Sequence, residues 1–113
     1  MTEKNPLASP ARLTELIDYQ TGAVVSRVLM RSPGGTVTLF AFDEGQGLSE
    51  HTAPFDALVQ LLDGRAAVTV GGVRNEVLAG QVILLPGGVP HALDALSRFM
   101  MLLTMIRVPA GGR

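Results

Sequence analysis

Two histidines, His51 and His91, are the only imidazoles in this 113-residue chain, which contains no cysteine. Imidazole binds transition metals and moves protons near neutral pH, so these two side chains are the first candidates for chemistry. Each lies in a stretch rich in glycine and proline. His51 sits in Gly45-Gln-Gly-Leu-Ser-Glu-His51 and is followed by Thr-Ala-Pro-Phe-Asp-Ala57. His91 closes Gly80-Gln-Val-Ile-Leu-Leu-Pro86-Gly-Gly88-Val-Pro-His91. If strands bring the two rings together, they form either a two-nitrogen site for a cation or a hydrogen-bonded pair inside the fold. Without cysteine there is no thiolate ligand, no thiol nucleophile and no disulfide. Ser49, Thr52 and Ser97 stand in no nucleophile-elbow pattern, and no helix follows Gly87-Gly88 to make it a phosphate cradle.

The elements that must position the histidines are short and β-like. Ala23 to Met30 and Thr36 to Phe42 flank a Gly34-Gly35 turn, and Ala57 to Leu62 ends at Asp63-Gly64. Ala66 to Val70 and Val73 to Leu78 flank Gly71-Gly72, a pair that accepts the positive φ angles of a type I′ hairpin. Gln81 to Leu85, His91 to Ala95 and Phe99 to Ile106 complete nine or ten strands, so an all-β antiparallel sandwich or barrel is expected. Before it, residues 1–22 read as an arm, with either a short helix from Ser9-Pro10 to about Asp18, since Leu13, Leu16 and Ile17 recur at helical spacing, or an extended course over the same residues. The barrel should occupy residues 23–108 and a tail residues 109–113. Several strands, notably Ala57 to Leu62 and Phe99 to Ile106, are apolar on both faces. Their outer faces therefore need a cover, from the arm or from a second subunit, and a homodimer is expected.

Composition narrows the partners. Nine basic and ten acidic residues leave a net charge of −1, without the basic stripe that nucleic acid requires. No apolar run reaches the ~18 residues of a membrane span, and the N-terminus lacks a signal-peptide core, so a cytoplasmic protein with no membrane partner is expected.

The spacing resembles that of the cupins, whose two motifs read G-x5-H-x-H-x3,4-E-x6-G and G-x5-P-x-G-x2-H-x3-N. Gly45, His51 and Gly64 match the first, and Gly80, Pro86, Gly88 and His91 match the second, with fifteen residues between the motifs. The resemblance runs from about Val24 to Ile106 and implies a double-stranded β-helix, or jelly-roll, barrel with metal ligands at its mouth. Three positions depart from it: Ala53 stands at the second histidine, Ala57 at the glutamate and Ala95 at the asparagine. Of the four metal ligands the resemblance implies, His51 and His91 alone carry over. Two imidazoles alone hold a divalent first-row ion (Zn, Fe, Ni, Mn or Cu) weakly, so weak metal binding and no metal at all both stay open.

Other residues near the motifs have weaker claims. Asp56 is the best replacement carboxylate if a bulge beside Pro54 turns it inward; under regular alternation it faces away when Ala57 faces in. Gln60 lies among apolar residues and reads as a buried amide on the side away from His51. Glu50 points opposite His51 in an extended strand, which suits the surface or a ring-orienting contact. Asp94 falls at a strand edge. Phe40, Phe42, Phe99, Met101 and Met105, together with Met100, are candidates to line an apolar small-molecule pocket, against the plainer reading that they and Phe55 are core. The functional readings are then a metal-dependent dioxygenase, isomerase or lyase of a small organic molecule, or a non-catalytic barrel that binds a small molecule without metal.

Overall fold

A computed structural model describes residues 6–108. The expected tail at 109–113 and the first five residues of the arm lie outside the described residues. The strands are β1 Val24–Ser32, β2 Gly35–Phe42, β3 Gly47–His51, β4 Phe55–Asp63, β5 Arg65–Val70, β6 Val73–Leu78, β7 Val82–Leu85, β8 His91–Ala95 and β9 Phe99–Arg107. They form two antiparallel sheets, β1-β2-β9-β4-β7 and β3-β8-β5-β6, which is the all-β jelly-roll barrel expected from the sequence.

The turns that fold the chain back sit where glycine is required. Gly71 and Gly72 take φ of 56° and 83° between β5 and β6, the paired positive angles of a two-residue hairpin that matches strand twist. Gly64 (φ 79°) joins β4 to β5, and a Cβ there would collide with the Arg98 carbonyl oxygen. Any larger residue would push β4 away from the start of β9.

Between the sheets lies a core built on the inward positions of β2, β4, β5, β8 and β9. Phe42, Val59, Leu61, Val68, Leu93, Phe99 and Met101 are almost wholly buried there. The outer face of the five-stranded sheet carries a second cluster, in which Ile17, Leu16 and Tyr19 of the arm pack on Leu39, Ala41, Met100 and Leu102. Polar ties hold the arm in place. Tyr19 donates its hydroxyl to Asp63 at 2.6 Å, Arg27 donates to the Leu16 carbonyl at 2.9 Å, and Asp43 accepts from the Gly22 N–H at 2.6 Å.

The short helix expected from Ser9 to Asp18 is not formed. The arm instead contains single 3-10 turns at Pro6–Ala8 and Leu13–Glu15, and Arg12 is extended (φ −92°, ψ 125°) where the helix would have begun. A helix of about ten residues is marginal alone, below the ~12–15 that water tolerates. Docking Ile17 on the sheet and giving the Leu16 carbonyl to Arg27 outweigh local helical bonding. The described residues of the arm cover part of the outer face. Beyond it Met30, Leu58, Val82, Leu84 and Ile106 remain exposed, at 43–64 % of their full area.

Candidate functional site

The two histidines meet because β3 contains an irregularity. Gly47 and Leu48 pair with Asp94 and Leu93 on β8, and the register then shifts so that His51 lies opposite His91. Three residues on β3 thus span two on β8. A side chain's face alternates along a regular strand, so without the extra residue Glu50 would share the interior side with Leu48. The bulge exchanges them: Leu48 and His51 both line the cavity, with His51 still exposed at its mouth, while Glu50 is exposed and does not line it.

The resulting pair is tightly defined. The imidazole centroids are 4.3 Å apart with planes at 68°, and the two Nε2 atoms are separated by 3.1 Å. The Nδ1 of His51 is 2.9 Å from the Ser49 carbonyl, and the Nδ1 of His91 is 3.2 Å from the Val89 carbonyl. A carbonyl only accepts, so each Nδ1 carries its proton and donates it. Both Nε2 atoms of the neutral pair then present lone pairs toward one another. At 3.1 Å that arrangement calls for a positive or hydrogen-bearing group at the gap. His91 is buried, at 7 % exposure. Desolvation and, to a smaller extent, the charge of His51 push its pKa below the ordinary value, against the opposing Val89 hydrogen bond.

Around the pair the wall is apolar. Ala53, Phe55 and Ala57 contribute from the β3–β4 segment, Leu85 from β7, Leu93 from β8, and Met101, Leu103 and Met105 from β9. The cavity is small, about 60 Å³, which is room for a few waters or a very small molecule and is well below the ~300–1,000 Å³ of a drug-sized ligand pocket. Two of the candidate pocket residues, Met101 and Met105, line it. Phe40, Phe42 and Phe99 do not: Phe42 and Phe99 stack at 4.4 Å with planes 9° apart, Phe40 leans on Phe42 at 5.9 Å, and the three form the sealed end of the barrel. Leu48, Leu85, Leu93 and Leu103 were missed by the sequence reading. Their signal was parity, since Leu103 shares a face with Met101 and Met105, and Leu93 lies two residues from His91.

The carboxylates and amide near the motifs lie elsewhere. Asp56 sits beside inward-facing Ala57 on the other face of β4, and its Oδ1 accepts the Gly87 N–H at 2.9 Å. Gly88 N–H donates to the Ala53 carbonyl at 2.9 Å. These two bonds tie the turn before His91 to the segment after His51. Gln60 is exposed on the outer face, not buried: β4 continues its alternation past Leu58, and the arm does not reach that far. Asp94 is exposed on β8. Met100 faces outward beneath the arm.

The nitrogen spacing tests the residues against a metal ion. Two nitrogens bound to one ion at about 2.0–2.1 Å are about 2.9 Å apart at a right angle and about 3.4 Å apart at a tetrahedral angle. The observed 3.1 Å lies between, so the pair fits two adjacent positions of one coordination sphere. Among the described residues no cluster of three or more His, Cys, Asp or Glu side chains stands ready to hold an ion. The pair therefore needs further donors from elsewhere.

Comparison with known proteins gives a consistent answer. Residues 38–107 match a family model described as a cupin domain. An uncharacterized protein of Streptomyces coelicolor is 31% identical over 80 residues, covering 71% of this chain and 76% of that one. A conserved protein of unknown function from Streptococcus pyogenes superposes with a TM-score of 0.85 at 35% identity, covering 88% of each chain. A cupin superfamily protein from Desulfitobacterium hafniense gives a TM-score of 0.86 at 29% identity over 95% of this chain and 99% of the other.

Proposed function

The chain belongs to the cupin family, and from that premise we propose that it binds a small, mostly apolar organic molecule in its barrel, beside a first-row metal ion held weakly by His51 and His91. The observation that carries this reading is the pair of Nε2 atoms 3.1 Å apart, each with its Nδ1 proton committed to a backbone carbonyl. Carbonyl anchoring fixes the tautomer and aim of a metal-binding imidazole. When bound, such an ion would supply Lewis acidity to a dioxygenase, isomerase or lyase reaction of the small molecule. The chain's own contribution is to orient two nitrogen donors and to back them with aliphatic side chains, His91 being buried and His51 exposed at the mouth. Ala53 and Ala57 leave room at the positions where the family pattern has a histidine and a glutamate.

Metal titration tests the reading. The parent should bind a divalent ion weakly, with less than one equivalent retained on purification. His51→Ala and His91→Ala should each abolish that binding, and Ala53→His should tighten it. Binding left unchanged by both alanine variants would refute the assignment. A second reading, a barrel that binds its small molecule without metal, draws on the absence of a third His, Cys, Asp or Glu ligand among the described residues. It prevails if the parent binds no ion while Ala53→His does.

The same proposal includes a homodimer through the part of the outer sheet that the described residues of the arm do not cover. Met30, Leu58, Val82, Leu84 and Ile106 present an apolar face, and a second copy offers the matching surface under two-fold symmetry. Sedimentation at micromolar concentration as an 11.9 kDa species would rule the dimer out. Among the described residues no helix is long and apolar enough to cross a membrane.

A further inference from the structure

Resting on the same imidazole pair, we infer that the thioether of Met105 is the third donor of this site and that the ion it favours is copper(I). The argument starts from register. Ala57 stands where the family pattern has a glutamate, and its partner on β9 is Met105. Residues directly opposite in an antiparallel pair have Cβ atoms about 4.5–5.5 Å apart, so a long side chain at 105 reaches the space that a methyl group at 57 leaves free. Met105 faces the same interior as Met101 and Leu103, and it lines the same cavity as His51 and His91. Methionine is unbranched, with three rotatable bonds, and can swing its sulfur without moving the strand.

The spacing of the nitrogens asks for such a donor. At bond lengths near 2.0 Å, two nitrogens on opposite sides of an ion would be about 4 Å apart. The 3.1 Å pair therefore lies on one side of the ion and leaves the other side open. Among the described residues, no carboxylate or thiolate joins the pair to fill it. Two imidazoles and a thioether form a donor set without charge.

Neutral, soft donors decide the identity of the ion. His51 is exposed and only the His91 side is buried; a charge against that apolar wall costs free energy that rises with its magnitude, which favours a monovalent over a divalent ion where no carboxylate compensates. Thioether sulfur selects copper(I), and imidazole accepts copper as readily as zinc. The other described methionines are placed differently: Met30 is exposed on β1 and Met100 packs beneath the arm. Met101 lies deeper, 1 % exposed and opposite Leu61, so Met105 is the sulfur that can move.

The experiment is an anaerobic titration of the full chain with copper(I) kept reduced by ascorbate, in competition with bicinchoninate. A parallel titration uses zinc(II), and the proteins are the parent, Met105→Leu and His91→Ala. Met105→Leu conserves volume and should fold, since volume-conserving apolar swaps are the best tolerated in a core. It should weaken copper(I) by about tenfold or more, at least what losing an outer-shell partner costs a metal site, and leave zinc(II) unchanged. His91→Ala should abolish both. Copper(I) affinity unchanged in Met105→Leu would overturn the inference, and so would an equal loss for both ions, which would mark a packing effect. Zinc bound through the histidines with no effect of Met105 on copper(I) would leave the imidazole pair standing and remove only the thioether. Failure of the parent to bind either ion would remove both. X-ray absorption of the copper(I)-loaded parent gives an independent readout: a sulfur neighbour is expected, and a shell of nitrogen and oxygen alone would refute the assignment.

Discussion

The two ends of the barrel interior share strand β9 and are filled in opposite ways. At one end β2 and β9 face each other through Phe42 and Phe99, which are fully buried and stacked at 4.4 Å. At the other end the same β9 carries Leu103 and Met105 toward Ala53, Ala57 and two imidazoles. Side-chain volume separates them. Aromatic rings consume the interior at the sealed end, whereas two alanines at the mouth leave a cavity with a polar pair at its rim. A single continuous ladder thus supplies rigidity at one end and holds an unfilled, electrostatically incomplete site at the other.

Truncation should break the two ends unequally. Phe42→Ala removes a ring from a sealed, close-packed stack, and a loss of about 3–5 kcal/mol is expected in urea or thermal unfolding. Metal affinity of the folded fraction should be unaffected. Leu103→Ala enlarges a cavity that already opens at the mouth, so it should cost only about 2 kcal/mol, the low end for such changes, while altering small-molecule binding. Equal losses at the two ends would mean that the mouth is packed as tightly as the sealed end.

Much of this contrast could be read from the sequence, and the reasons differ by element. Strand positions followed from glycine turns such as Gly71-Gly72, where a backbone requirement is written directly in residue type. The motif spacing carried His51 and His91 to the barrel, and the alternation of Ala57 with its neighbours put Asp56 and Gln60 outside the histidine cavity. Features that depend on pairing between strands were not readable. The bulge after Leu48 exchanges Glu50 for His51 at Ser49-Glu50, where no proline or glycine announces it. The position of Met105 opposite Ala57 depends on a register set by distant residues. Nor could local propensity reveal that Arg27 would capture the Leu16 carbonyl and leave the arm unwound.

Acid should separate the ends by a smaller amount. Burial holds the His91 pKa below its ordinary value near 6.5, so between those two values the unfolded chain binds more protons than the folded one. Stability from this group is full above about pH 6.5 and declines as pH falls through 6.5 toward the folded pKa. His51 is the titratable neighbour across the strand pair, while Glu50 is exposed on β3. The Asp43–Arg98 ion pair beside the sealed end involves a carboxylate held below its ordinary range and stays charged over this interval, so the decline should disappear in His91→Phe when unfolding is followed from pH 8 to pH 5. A decline of equal size in that variant would place its origin outside the mouth.

The smallest effect concerns the link that holds the mouth together. Asp56 accepts the Gly87 N–H through Oδ1 at 2.9 Å, and the neighbouring Gly88 N–H is taken by the Ala53 carbonyl. Together they fasten the turn that delivers His91 to the segment that leaves His51. Asn at position 56 keeps an oxygen for the Gly87 N–H and removes the charge, and a hydrogen bond to a charged acceptor exceeds a neutral one by about 0.5–1.5 kcal/mol. Asp56→Asn should therefore lower stability by about 0.5 kcal/mol. Asp56→Ala leaves the Gly87 N–H without this acceptor and should cost about 1–2 kcal/mol. Neither change touches the Phe42–Phe99 stack, so amide hydrogen exchange in Leu39–Phe42 should keep its protection relative to global stability. Exchange at Gly87 and Gly88 should accelerate in Asp56→Ala and hardly at all in Asp56→Asn. Faster exchange spread evenly from β2 to the mouth would show that the two ends open as one unit, and the contrast between them would then be one of filling alone.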